Sequence, residues 1–285
     1  MSELSIAEKE LGYQIEVLTR FPLPRKNVGN EYKKEVNRIT CKYYSPLGIP
    51  YSPVHKRALE VVTTKAVCEN ENGIIQFDGI SRFLNFYGMA SNGGKAGYIR
   101  PIKEAMEKIY TLTIYISEEI ESDKFAGVKG KNLCIASDYQ ILWANGRTDL
   151  VKPELFDNLN YMQLTPDFMK LAKNAAPHIQ ADYMKIRSAL TQDVYPWIIS
   201  KLFCLKDKDQ LIKWSWLYNQ FTDNKKMNPS QMKTFRKAFK DSVDEVGEKY
   251  YKDARFEFTN EGLILKKSPL LIEPDSKKAG FTLFG

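Results

Sequence analysis

The run from Asn228 to Lys267 restricts the fold more tightly than any other part of the chain. Asn228 offers a side-chain cap, Pro229 takes the first helical position, and Gln231 stands where the far side of a capping box belongs. Met232, Phe235, Phe239, Val243 and Val246 recur at helical spacing, so a helix runs from Asn228 to about Tyr251. Two strand-like segments follow, Arg255 to Thr259 and Leu263 to Lys267, joined by Asn260-Glu261-Gly262, a hairpin loop containing glycine. Upstream, Ala181 to Leu205 reads as one long helix bent at Pro196, and Lys213 to Phe221 as a short one.

The first half has a similar order. Leu59, Val62 and Ala66 mark a helix from Val54 to Val67, followed by a short strand, Ile74 to Phe77. Ser81 can cap a second helix carrying Phe83, Leu84 and Tyr87, which Gly88 ends. After the turn Ser91-Asn92-Gly93-Gly94-Lys95, a third helix carries Ile99, Ile102, Met106 and Ile109, with Pro101 tolerable only in its first turn. Leu112, Ile114 and Ile116 then alternate as a strand, and Leu133 to Ala136 and Gln140 to Trp143 read as further strands.

Helix, short strand, helix, helix, hairpin is the order of a winged helix. The expected fold is therefore α+β, with two tandem winged-helix domains: an N-terminal arm over 1–36, a first domain over 37–165, a second over 166–274, and a tail over 275–285. The arm is expected because Leu11, Ile15 and Leu18 form only a weak helical pattern, which Pro22 and Pro24 break.

Composition removes several function classes. The 285 residues are 43% apolar and 27% charged, which excludes wholesale disorder and a disulfide scaffold. Cys41, Cys68, Cys134 and Cys204 lie far apart, and His55 and His178 fall in unrelated segments. Neither a metal site nor a Ser-His-Asp triad has material to work with, so no metal, cofactor or catalytic residue is expected. No apolar run approaches the ~20 residues that span a bilayer, and the first ten residues lack a signal peptide's pattern. A cytoplasmic, non-membrane protein is expected.

Charge points to a partner. The net charge is +7, and residues 166–285 hold 21 basic against 15 acidic side chains, whereas 1–165 hold 21 against 20. Between Asn224 and Lys240 stand six cations, Lys225, Lys226, Lys233, Arg236, Lys237 and Lys240, and no acid. Asp241, Asp244, Glu245 and Glu248 follow. A helix dipole favours the reverse order, so an external anion is expected to meet this N-terminal end. The face from Ser230 to Lys240, which includes Gln231 and Thr234, has the make-up of a recognition helix for the major groove of double-stranded DNA. Arg255, Lys266 and Lys267 stand where a wing would touch the neighbouring backbone, although edge lysines also prevent strand aggregation.

The first domain offers a weaker cationic surface: Lys95, Tyr98, Arg100 and Lys103, with Lys108, against Glu104 and Glu107. Its hairpin carries Glu118, Glu119, Glu121 and Asp123, which a phosphate backbone would repel. It binds DNA weakly or serves in protein contact, including a homodimer. Gly88 to Ala96 fails as a phosphate loop, because the glycine spacing is wrong and Ala96 replaces the magnesium-binding hydroxyl. The His-hydrophobic-His pair of DNA nickases is missing. Trp214 and Trp216 read as core.

Several motifs in order resemble a known family. Gly48-Ile49-Pro50-Tyr51-Ser52, Thr63-Thr64-Lys65-Ala66-Val67, Gly93 to Arg100 and Met106-Glu107-Lys108-Ile109 are followed by Ser188 to Trp197, Trp216 to Phe221, Phe235 to Phe239 and Gly262 to Pro269. Over roughly 21–270 the chain resembles bacterial plasmid-encoded replication initiators of the RepA type. That resemblance implies an initiator that binds repeated sites at a plasmid origin, helps open an adjacent AT-rich region and recruits host helicase-loading proteins. It also implies copy control through a monomer-dimer balance, and no catalytic residues. Pro24 is followed by Arg25 and Lys26 where the family often has a histidine. The tail residues Phe281, Leu283 and Phe284 are similar to a sliding-clamp docking peptide, with Gly280 in place of its glutamine; an ordinary apolar tail is the other reading. A winged-helix transcriptional regulator without initiator activity, or a winged-helix protein-interaction module, stays open as an alternative.

Overall fold

The computed structural model describes residues 11–36, 38–68, 72–77, 99–121, 125–142, 160–205, 208–223 and 228–272. Two apolar cores organise them, one drawing on residues from Ile15 to Ala175 and the other from Tyr183 to Leu265.

The chain starts with strand β1 (Leu11–Gln14) and helix α1 (Glu16–Arg20). This segment corrects the expected arm: Ile15, Val17, Leu18, Phe21 and Leu23 are all buried in the first core. Its partner explains why the sequence conceals this, since β1 pairs with a strand more than 160 residues away. Next come β2 (Glu31–Val36), β3 (Ile39–Tyr44), α2 (Pro53–Cys68), β4 (Ile74–Phe77), α3 (Ile99–Tyr110), β5 (Thr113–Glu121), β6 (Ala126–Cys134), β7 (Ala136–Gln140) and β8 (Asn160–Leu164). Pro101 lies in the first turn of α3, where its missing N–H costs nothing.

The hairpin β5–β6 does not stand alone as a wing. It extends an antiparallel sheet of order β2-β3-β5-β6, while β4 pairs with β8 in a second sheet, β4-β8-β7. In the first unit the hairpin expected as a wing is thus absorbed into a larger sheet. The strand expected over Leu133 to Ala136 is divided between β6 and β7 at Ile135, and that expected over Gln140 to Trp143 ends at Gln140. The helix expected after Ser81 lies outside the described residues.

Helix α4 (Pro166–Ala172) is capped by Thr165, whose Oγ1 accepts the Phe168 N–H at 3.2 Å. Strand β9 (Ala176–Ile179) returns to β1, and α5 (Gln180–Lys185) and α6 (Ala189–Cys204) follow. The expected single helix from Ala181 to Leu205 is therefore two, because the Ser188 Oγ accepts the Thr191 N–H at 3.3 Å and starts α6 afresh. Helix α6 runs through Pro196 and is buried on nearly every side, as a helix between two units must be.

The second unit continues with β10 (Gln210–Lys213), α7 (Trp214–Phe221), α8 (Pro229–Glu245) with one π-helical turn after it (Val246–Tyr250), β11 (Arg255–Phe258) and β12 (Gly262–Lys266). The sheet order β10-β12-β11 closes the first strand on the last, which is winged-helix topology. A Cβ at Gly262 would overlap the Ile212 carbonyl oxygen, so glycine is what lets β10 approach β12. No described helix is long and apolar enough to cross a membrane.

Charges buried between the units fix their contact. The Lys56 ammonium on α2 lies 2.5 Å from Asp193 Oδ1 on α6, and both side chains are about 5% exposed. Arg25 Nε stands 3.6 Å from the other Asp193 oxygen. Lys34 on β2 donates to the Gln220 carbonyl, Tyr32 donates to Asp223, and Gln220 Nε2 donates to the Thr19 carbonyl at 3.0 Å. Burial pushes the Lys34 ammonium down to about 7, against the opposing pull of Asp223 and Asp193, and lowers Lys56 as well.

Candidate nucleic-acid interface

Helix α8 has three different sides. Phe235, Phe239, Ser242 and Val243 are buried against the second core. Ser230, Lys233, Thr234, Lys237, Ala238, Asp241 and Asp244 face solvent. Between these sides, toward the wing, lie Arg236 and Lys240, both half-buried. The Asn228 Oδ1 accepts the Gln231 N–H at 2.8 Å, but Gln231 does not complete a capping box, because its Oε1 accepts the Tyr218 hydroxyl at 3.3 Å.

The charges along α8 run against its dipole. No acid occupies the first turn of α8 and no base its last. Further along, burial and then the neighbouring Glu248 and Asp241 hold the Asp244 carboxyl above its ordinary range. The helix therefore presents cations at its electropositive end and crowded carboxylates beyond it.

An aromatic pair couples the helix to the wing. The Trp214 indole N–H donates to the Thr259 carbonyl at 3.0 Å, and its ring lies nearly parallel to that of Phe258, 11° between planes with centroids 6.2 Å apart. The Arg236 guanidinium sits 5.3 Å from the Trp214 centroid and the Lys240 ammonium 5.1 Å from that of Phe258. Thr259 Oγ1 accepts the N–H groups of Glu261 and Gly262, which fastens the wing turn. Between the starts of α7 and α8 and this turn lies an open groove, lined by Lys213, Ser215, Asn228, Met232, Arg236 and Asn260.

The chain is similar in fold to domains 2 and 3 of RctB. A crystal structure of selenomethionine derivatives of those two domains superposes with a TM-score of 0.51 at 13% identity, covering 89% of this chain and 96% of that one. A second crystal structure of RctB domains 2-3 gives 0.50 at 12%, covering 87% and 94%. At such identities the likeness speaks for the architecture alone. No protein-family model and no curated protein matches the sequence.

The expected site residues fare unevenly. Ser230, Lys233, Thr234 and Lys237 share one exposed side of α8, as their spacing requires. Arg236 and Lys240 are drawn aside onto Trp214 and Phe258, which sequence reasoning did not pair with them. In the wing, Arg255 and Lys267 are exposed, whereas Lys266 pairs with Glu257 at 2.7 Å, and that carboxylate raises its ammonium. Arg100 is exposed and Lys103 half-buried on α3, within the other unit. Lys95, Tyr98, Lys225, Lys226, Phe281, Leu283 and Phe284 lie outside the described residues. Trp214 is core as expected, but Trp216 is 46% exposed, since two residues along α7 place it on the other side of the helix from Trp214.

Proposed function

We propose that this protein is a plasmid replication initiator that binds repeated double-stranded DNA sites at its origin, promotes opening there and recruits host replication proteins, without catalysis of its own. Helix α8 enters the major groove by its N-terminal end, and the β11–β12 wing meets the adjacent backbone. The observation that carries the reading is the cationic, acid-free first half of α8 facing solvent beside the wing. The order of the RepA-type motifs supports the initiator role, and the tandem winged-helix architecture shared with RctB domains 2 and 3 suits two-part contact with a duplex. Homodimerisation, a weaker DNA contact by the first unit and clamp docking by the tail belong to the same proposal.

The test is binding to duplexes from the DNA flanking its own gene, measured by fluorescence anisotropy across a salt series. Neutralising about six phosphates gives a slope of log affinity on log salt near -5. Lys233→Ala, Arg236→Ala and Lys237→Ala combined abolish binding while helix content by circular dichroism stays the same. Unchanged binding refutes the interface. Retained binding with no loss of plasmid maintenance on deletion favours a transcriptional regulator instead.

A further inference from the structure

The two groups of polar residues on α8 are held differently, and the difference assigns them different tasks. Ser230, Thr234, Lys237 and Asp241 line up at spacings of four, three and four, opposite the buried Phe235 and Phe239, with Lys233 beside them. At about 1.5 Å of rise per residue, Asp241 lies about 16 Å along the axis from Ser230. A major groove about 12 Å wide, entered by the helix N-terminus, therefore takes Ser230 to Lys237 and leaves the carboxylate outside.

Within that set the chemistry is distinct. The Thr234 hydroxyl donates back to the Ser230 carbonyl at 3.1 Å, so its proton is spent on the backbone and its methyl is what this exposed side chain has left for a base edge. The Lys237 ammonium is exposed at the centre of the line, free to donate to acceptors on a base edge. Gln231 lies off this line, half-buried, with its carbonyl accepting the Tyr218 hydroxyl. Arg236 and Lys240 lie on the flank over Trp214 and Phe258, the two rings that join α7 and α8 to the wing.

Resting on the duplex-binding reading above, we infer that α8 reads a guanine through Lys237 and a thymine methyl through Thr234, while Arg236 and Lys240 are positioning residues that hold the wing and carry no sequence information. Guanine offers O6 and N7 acceptors in the major groove, and thymine is marked there by its C5-methyl. A cation held over aromatic faces is spent on the protein's own geometry, and its loss weakens every duplex alike.

The experiment is selection from a random duplex library by the full-length protein and four variants, with affinities for the selected sites and a hydroxyl-radical footprint. The wild type enriches a guanine and a thymine at fixed separation. Lys237→Ala loses the guanine preference by about tenfold and keeps the thymine. Thr234→Ser loses the thymine preference, and Thr234→Val, which retains the methyl, keeps it. Arg236→Ala with Lys240→Ala leaves both preferences intact, lowers affinity for all sites by a common factor and erases the wing's footprint. A changed preference in that double variant, or a uniform loss in Lys237→Ala, overturns the division of labour while leaving DNA binding standing. A wild type that enriches no sequence overturns this inference and the parent reading together.

Discussion

Replacing Asp193 by alanine strands the Lys56 ammonium where water does not reach. Its carboxylate sits 2.5 Å from the Lys56 ammonium, with each side chain about 5% exposed, and Arg25 approaches its other oxygen at 3.6 Å. Breaking a buried pair by removing one partner costs about 3–5 kcal/mol, because the remaining charge keeps its desolvation penalty and loses its compensation. Set against a typical total stability of about 5–15 kcal/mol, that is a third or more for many domains. Because Lys56 belongs to α2 and Asp193 to α6, the loss falls on the contact between the two units. Urea denaturation followed by circular dichroism and by tryptophan fluorescence is the assay. The wild type gives coincident transitions, whereas Asp193→Ala shows a lower midpoint and transitions that separate, the mark of units unfolding independently. Lys56→Met combined with Asp193→Leu regains part of the loss, since the Lys56 ammonium is then no longer buried without its partner, while Arg25 and Lys34 still lose the Asp193 carboxylate. A loss below about 1 kcal/mol for Asp193→Ala, the value of an exposed pair, refutes the reasoning.

Two further predictions follow from the same packing. Gly262→Ala forces a methyl into the Ile212 carbonyl, so it costs at least about 1–3 kcal/mol by overpacking and weakens DNA binding through the displaced wing; thermal unfolding and anisotropy measure the two effects. Lys34 titrates near pH 7 when folded and, by its ordinary value of 10.5, far higher when unfolded. Between those values the unfolded chain binds the extra proton, so stability rises with pH from about 7 to 10, and Lys34→Met flattens that rise in a denaturant-midpoint series.

The second unit was largely legible because its signals are local. Asn228, Pro229 and the apolar stripe through Phe235 and Phe239 fix α8 without help from the rest of the chain, and Gly262 marks the hairpin. Strand β10 escaped notice because it has four residues with only Ile212 buried, too little alternation to detect. The N-terminal segment was misread for a different reason: β1 owes its existence to β9, and no local pattern announces a distant partner. Likewise, the cations of α8 could be counted from sequence but not sorted. The segregation of Arg236 and Lys240 from Lys233 and Lys237 depends on Trp214 and Phe258 arriving from elsewhere, and the polar spacing alone is the same for both groups.

The pairing of Leu11–Gln14 with Ala176–Ile179 also bears on how the protein is made. The ribosome releases the first of these strands early, yet its mate emerges only after the whole intervening domain. Until then Ile15, Val17 and Leu18 have an incomplete shelter, and they stay exposed to chaperones and proteases during synthesis. A pause in translation just before Ala176 would lengthen that vulnerable period, making the yield of intact protein sensitive to codon choice in that stretch.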